Sequence, residues 1–297
     1  MSGQEHMQVV FHLGAHSTDE DRLIRTLAEN PEALQAAHVA VPAPNRYRLV
    51  LRDALLGLKG NPADPALQDA ILAASVDEDR VRRLVFSHEF FLCVPARVIT
   101  ERGFYTMVPS KLGPLANLFP QAEVEFHMAL INPATLIPAL EARQKTVDYA
   151  AMMCGRDPRE LRWAPVVRGM VEAAAGRRLV LWCNEDLPMI WPEVLRSLAG
   201  LAPEVPLRGE DAVAAQIMTR EGLARLRAYF KSHPPQSVLQ RRKVVSAFLD
   251  KFALPEAIEV EIPLPGWTEE LVAEITANYE ADIAEIAEMP GVEFLRA

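Results

Sequence analysis

The sequence predicts an α/β fold with a mainly parallel central sheet and a helical C-terminal portion. Three observations carry this reading. Short apolar runs, each closed by a polar or turn cluster, recur along the first two thirds of the chain, as buried strands do. Segments with helical spacing separate them, and alternation of strand and helix is the pattern of a parallel sheet. From about Glu210 onward only helical patterns remain. The 297 residues, half of them hydrophobic, suffice for one large domain or a domain with an appended subdomain. Residues 1–208 are expected to form the α/β core, with 209–297 packed on it in one structural unit.

Taken in order, residues 8–13 read as the first strand, and residues 21–37 as a helix with Leu23, Ile24, Leu27, Leu34 and Ala37 on one face. A shorter helix over residues 65–75 leads to the strand "RLVFS" at 83–87. A helix over 112–118, the strand "EVEFHMAL" at 123–130, a longer helix over 134–154 and the strand "RLVLWC" at 178–183 follow. In the C-terminal portion Thr219 opens a helix to Ser232, and residues 237–252 form another, whose Arg241-Arg242-Lys243 cluster reads as a solvated face. The clearest helix starts at the N-cap Thr268 and buries Leu271, Ile275, Tyr279, Ile283 and Ile286 before Pro290-Gly291 ends it.

Composition narrows the function. A net charge of -9 and a pI near 5.4 argue against nonspecific nucleic-acid binding and against docking on anionic membranes. The N-terminus lacks a basic region followed by an apolar run, and no apolar stretch approaches the roughly 20 residues a bilayer needs, so a cytoplasmic location is expected. Cys93, Cys154 and Cys183 are odd in number and far apart. They read as small buried residues, not as a disulfide framework or a zinc ligand set. His127, Trp182 and Trp191 read as core residues.

The stretch "VVFHLGAHSTDEDRLIRTLAEN", residues 9–30, has the order strand, glycine turn, helix, which is where phosphates bind. Its turn, however, holds Asp19, Glu20 and Asp21, where an anion site needs glycine, lysine and hydroxyls. One reading is structural: Thr18 caps the helix, Asp21 closes a variant capping box, and the acids stabilise the first turn by about 0.3–1 kcal/mol each. A cation site and a true phosphate loop are the other two.

Residues 9–42 resemble the bacterial sulfotransferase family with the P-loop-like fold. That family opens with His-Ile-Gly-x-His-Lys-Thr-Gly-Thr-Thr, then an Asn-x-x-x-Leu helix and Gly-Val-x-x-Pro. The matching residues are His12-Leu13-Gly14-Ala15-His16-Ser17-Thr18, then Asn30, Leu34, Val39 and Pro42 in step, with His38 replacing the glycine before Val39. Weaker likeness runs through "FSHEFF", "LFPQAEVEFHMALINP" and "LWCNEDLPMIWPEVL". The resemblance implies a three-layer α/β/α fold. It also implies a loop that holds the 5′-phosphosulfate end of 3′-phosphoadenosine-5′-phosphosulfate through backbone N–H groups, a lysine and hydroxyls. In this register the lysine position is Ser17, the glycine is Asp19, and the hydroxyls are Glu20 and Asp21. Gly14, His16 and Thr18 keep the pattern. The arginine and serine that would bind the 3′-phosphate fall on Ile131 and Ala139.

Magnitudes then decide the expectation. A carboxylate about 5 Å from a phosphate repels it by about 3 kcal/mol at an effective dielectric near 20. Three acids and a missing lysine outweigh the about 8 kcal/mol that supports micromolar binding. The donor site is expected to be lost, with no cofactor and no metal bound.

What remains lies beyond the carboxyl ends of the strands. His88 and Glu89 follow the second strand and are the candidates for a general base if sulfuryl chemistry survives. Asn132 follows the third strand, and Asn184, Glu185 and Asp186 follow the fourth. Each cluster also reads as caps or turn ligands. With no basic residue at the expected positions, such a cleft would favour cations, unless Arg22 or Arg25 swings back to replace the lysine. Two functions follow. One is a non-catalytic protein that binds an unknown small molecule or protein through the old cleft, with self-association left open. The other is a sulfotransferase, or another group transferase, with a divergent donor site and the phosphosulfate donor as cofactor.

Overall fold

A computed structural model of the protein describes residues 7–77, 80–144, 147–258 and 264–297. The strands are β1 Gln8–His12, β2 Val39–Ala40, β3 Arg83–Ser87, β4 Ile99–Thr100, β5 Gly103–Phe104, β6 Glu123–Leu130, β7 Leu179–Cys183 and β8 Glu293–Leu295. Six of them form one sheet in the order β2-β3-β1-β6-β7-β8. Every pairing in it is parallel. β4 and β5 form a separate antiparallel hairpin.

Side-chain alternation along β1 builds the three layers. Val9 and Phe11 face one core, which the helices Pro44–Leu58, Pro109–Ala116, Pro133–Arg143 and Trp163–Ala174 cover. Val10 faces a second core, with Val85, Ala129, Val180 and Trp182, under the helices Arg22–Ala28, Pro31–Ala36 and Leu187–Ala199. Strands buried on both faces read as continuous apolar runs, which is why β1, β3, β6 and β7 were legible.

The helix expected over 21–37 is two, Arg22–Ala28 and Pro31–Ala36. Pro31 starts the second one, and Asn30 bridges the break, donating to Thr26 O at 2.8 Å and accepting from Arg208 N at 2.6 Å. The helix expected over 134–154 likewise divides into Pro133–Arg143 and Tyr149–Met153. The helical C-terminal portion returns one strand, β8, to the sheet edge beside β7.

The caps at Thr219 and Thr268 are as expected, accepting from Gly222 N at 3.1 Å and Leu271 N at 3.2 Å. The last helix, Glu269–Ile286, also buries Asp282, whose carboxylate accepts from Trp163 N at 2.7 Å and from Arg162 Nη2 at 2.6 Å. It thereby caps a helix whose own N-cap, Arg162, supplies no side-chain acceptor.

Two surface expectations are corrected. Arg241 is not solvated: it pairs with Glu193 at 2.9 Å and donates to Met189 O, docking the helix Val238–Phe252 on Leu187–Ala199. Cys93 and Cys183 are buried, but Cys154 is exposed at the left-handed end of its helix. Among the described residues, no helix is long and apolar enough to cross a membrane.

Candidate functional site

The connections that follow β1 and β6 leave in opposite directions, β1 toward β3 and β2, β6 toward β7 and β8. The crevice between such strands is where open α/β sheets bind ligands. The polar residues at the four strand ends sort into two clusters there. One gathers the loop of residues 14–21 with His88 and Glu89. The other gathers Asn132, Glu185 and Asp186 under the last helix. Among the described residues, no hydrogen bond or ion pair joins the two.

The loop packs tightly on the segment after β3. Gly14 has a φ of 57°, which is what favours glycine here, and a Cβ on it would meet Glu89 Cα at an ordinary 3.4 Å. Ser17, Glu20 and Asp21 also adopt left-handed backbone, with φ of 63°, 50° and 64°. That conformation delays the helix to Arg22 and corrects the cap assignment. Thr18 lies too far upstream to cap, and its hydroxyl donates to Ala15 O at 2.7 Å. Asp21 holds the N-cap position, but its side chain makes no cap bond and closes no capping box. Asp19 supplies the acceptors, its carbonyl taking Arg22 N at 3.0 Å and its Oδ1 taking Leu23 N at 2.9 Å. Burial lifts the Asp19 carboxyl to about 6, opposed by that Leu23 N–H and by Arg22.

The acidic, cation-favouring cleft expected from sequence is also corrected. Two arginines enter it from other elements. Arg48, on the helix Pro44–Leu58, pairs with Asp21 through both carboxylate oxygens and donates to Ser87 O at 3.0 Å. Arg143, the last residue of Pro133–Arg143, pairs with Glu89, with Nη1 at 2.9 Å from Oε2, and reaches Ser17 Oγ at 3.4 Å. Glu89 Oε2 also faces Ser17 N at a long 3.5 Å. Burial would raise the Glu89 carboxyl, but its bonds and attraction to Arg143 more than offset this and hold it low. Neither the Arg22 nor the Arg25 guanidinium bonds to the loop among the described residues.

The histidines divide by role. His16 is structural: its N–H donates to Tyr105 Oη at 3.0 Å, its Nδ1 lies 2.8 Å from that oxygen, and its Nε2 lies 3.1 Å from Cys93 O. The carbonyl accepts only if Nε2 carries the proton, so the tyrosine hydroxyl donates to Nδ1. His12 is buried between β3 and β6, bonded to Ser87 Oγ at 2.8 Å and stacked on Trp182. His88 is half-buried against Phe90 and Phe91, and its Nδ1 has no protein partner. Burial, then Arg48, lowers His88 to about 4. Of the two candidates His88 keeps an unpaired ring nitrogen, whereas Glu89 is committed to Arg143.

Burial lowers His16 to about 4 and, with repulsion from His127, lowers His12 to about 3. Both fall below the ordinary value of 6.5, so the unfolded chain binds more protons than the folded one below that pH. Their contribution to stability is therefore whole above 6.5 and erodes as pH falls toward 4. Each costs about 1.4 kcal/mol per pH unit well below 6.5. Asp19, Glu185 and Asp186, raised by burial, act in the opposite direction. His88 and His127, lowered by burial, add to the effect, as do Glu89 and Glu125, which burial would raise but their ion pairs hold low. Urea unfolding at pH 7, 6 and 5 should give falling stability, and the His12 and His16 ring resonances should not titrate above pH 5. Stability that rises on acidification would contradict the assignment.

The second cluster is a latch. Glu185 accepts from Asn132 N and from Tyr279 Oη, each at 2.8 Å. Burial raises its carboxyl, opposed by the Asn132 N–H. Asn132 caps Pro133–Arg143 by accepting from Ala134 N at 2.9 Å. Asn184 and Asp186 flank Glu185 in a short 3-10 turn, and neither provides a side-chain cap. Ile131 is buried and Ala139 half-buried, with no polar side-chain atom at either position. Among the described residues no three His, Cys, Asp or Glu side chains converge as metal ligands.

Arg48, Arg143 and Tyr105 are residues that sequence reasoning missed, as is the bond from Tyr279, read only as part of the buried face of its helix, to Glu185. Each comes from an element distant in the chain, and no local motif marks it. No protein-family model and no curated protein matches the chain.

Proposed function

We propose that the chain is a cytoplasmic, sulfotransferase-like protein that has lost binding of the phosphosulfate donor and acts as a non-catalytic binding protein for a small molecule or protein partner. One observation carries the reading: four N–H donors around the loop already meet the chain's own groups, and three acids stand among the rest. Tyr105 takes the His16 N–H, Asp19 takes those of Arg22 and Leu23, and Glu89 faces that of Ser17. In the seven-residue helix that follows, Asp19 thus occupies the first two N–H groups of the turn at which an anion would dock. Ile131 and Ala139 offer nothing to a 3′-phosphate.

The transferase alternative has one observation in its favour. Arg48 and Arg143 lie at the loop, and both would be free to meet an anion if Asp21 and Glu89 turned away. Calorimetric titration with adenosine 3′,5′-bisphosphate separates the two. The expected result is no heat and no thermal stabilisation at millimolar ligand. Micromolar affinity would overturn the loss of the donor site and make sulfuryl transfer the reaction to assay.

A further inference from the structure

Beside the loop lies a second cavity, of about 500 Å³, between the helices Pro44–Leu58 and Pro109–Ala116 and the segment that follows β3. Its size is that of a small-molecule site. Its walls are apolar: Leu49, Leu55, Leu56, Phe90, Phe91 and Val94. Four of these are large side chains left open to solvent, Leu49 at 61%, Leu56 at 69%, Phe90 at 38% and Val94 at 50% exposed. Such side chains scattered singly need no explanation, but four around one cavity form a patch.

The charge around this cavity runs against that of the chain. The net charge is -9, yet the charged residues that line it are Arg48, Arg52, Lys59 and Lys111, with no carboxylate among them. Arg48 and Arg52 are already paired, with Asp21 and Asp53. Lys59 and Lys111 have no carboxylate partner among the described residues. Apolar walls with two uncommitted ammonium groups in the lining match a molecule that has an apolar body and one anionic head. A neutral apolar ligand would leave the lysines without a role, and a polar anion would leave the walls wet.

We infer that this cavity binds a small amphiphilic anion, a hydrocarbon or aryl body ending in a carboxylate, sulfate or phosphate, with Lys59 and Lys111 at its head and the leucines and phenylalanines along its body. The inference rests on the binding-protein reading above, because it identifies what such a protein would hold. The site borders the loop through Arg48 and His88 but does not use the loop's N–H groups. Nucleotide titration tests the loop and the following experiment tests the cavity, so each can fail alone.

The full chain is titrated by calorimetry with decanoate, decyl phosphate, decanol and hexanoate, each below its micelle concentration, and sedimented with anionic vesicles. The expected result is saturable 1:1 binding of decanoate or decyl phosphate, at least tenfold tighter than decanol or hexanoate. The stronger of the two anionic probes identifies the head group. Lys59→Gln with Lys111→Gln should weaken that binding at least tenfold. Leu56→Glu, at an exposed position, should do the same while the far-UV circular dichroism and the melting temperature stay unchanged. Nonsaturating binding, equal affinity for decanol, or affinity unchanged in both variants would overturn the proposal. So would co-sedimentation with vesicles in the absence of 1:1 binding of the free anion, which would make the patch a membrane contact.

Discussion

Arg83→Met should destabilise the fold by about 3–5 kcal/mol, the range for removing one partner of a buried ion pair. Arg83 is 4% exposed, and all five of its N–H donors are used. Nη2 donates to Glu125 Oε2 at 2.6 Å and Nη1 to Oε1 at 3.1 Å. Nη1 also meets Gln8 Oε1 at 2.8 Å. Nε donates to Leu198 O at 2.8 Å and Nη2 to Ser197 O at 3.1 Å, so the same side chain closes the end of the helix Leu187–Ala199. Methionine fills the space but leaves two helix carbonyls and a buried carboxylate short of donors. Arg178, at 2.9 Å, and His127, at 3.0 Å, remain on Glu125 and keep the loss within that range. The double variant Arg83→Met with Glu125→Met should recover part of the loss, because no unpaired charge is then buried. Urea unfolding of the wild type and both variants measures this. A single variant within 1 kcal/mol of wild type, on the scale where 1.4 kcal/mol is tenfold, would refute the assignment.

The sequence conveyed the parts of this fold that depend on local pattern. β3 and β6 have the bounds that their apolar runs suggested. The helix Pro44–Leu58 went unread although Tyr47, Leu51 and Ala54 keep helical spacing, because its other face carries Leu49 and Leu56, which blur the stripe. Those exposed leucines belong to the second cavity, so the break in pattern marks a surface with its own use. β8 is three residues long, none of them fully buried, and only its pairing with β7 makes it a strand. At the loop, residue types show the three acids but neither the arginines that neutralise the cleft nor the cap. Asp21 in left-handed backbone cannot be read from residue type, and its partner Arg48 sits 27 positions away. Glu89 was legible as a polar residue at a strand end. Its pairing with Arg143, 54 positions on, is a product of the fold alone.

That pairing sets the outcome of rebuilding the loop. Ser17→Lys, Asp19→Gly, Glu20→Thr and Asp21→Thr together return the sulfotransferase-like pattern, yet this fourfold variant should still not bind adenosine 3′,5′-bisphosphate. Glu89 would remain beside the backbone amide at position 17, with Arg143 neutralised against it. Adding Glu89→Ala should raise affinity at least 100-fold over the fourfold variant. Removing a carboxylate about 5 Å from a phosphate relieves about 3 kcal/mol, and each 1.4 kcal/mol is tenfold. Arg143, released, adds attraction of the same order. The changes carry a cost, since Asp19 supplies the cap acceptors of the helix and a lost cap destabilises by about 0.5–2 kcal/mol. Both variants are therefore compared at a temperature where circular dichroism shows them folded. Binding by the fourfold variant alone would mean that Glu89 does not block the loop. Equal failure of both folded variants would move the decisive defect to Ile131 and Ala139, where a 3′-phosphate finds no ligand. A gain that appears only when Glu89 is removed would identify the Glu89–Arg143 pair as the internal occupant of the site.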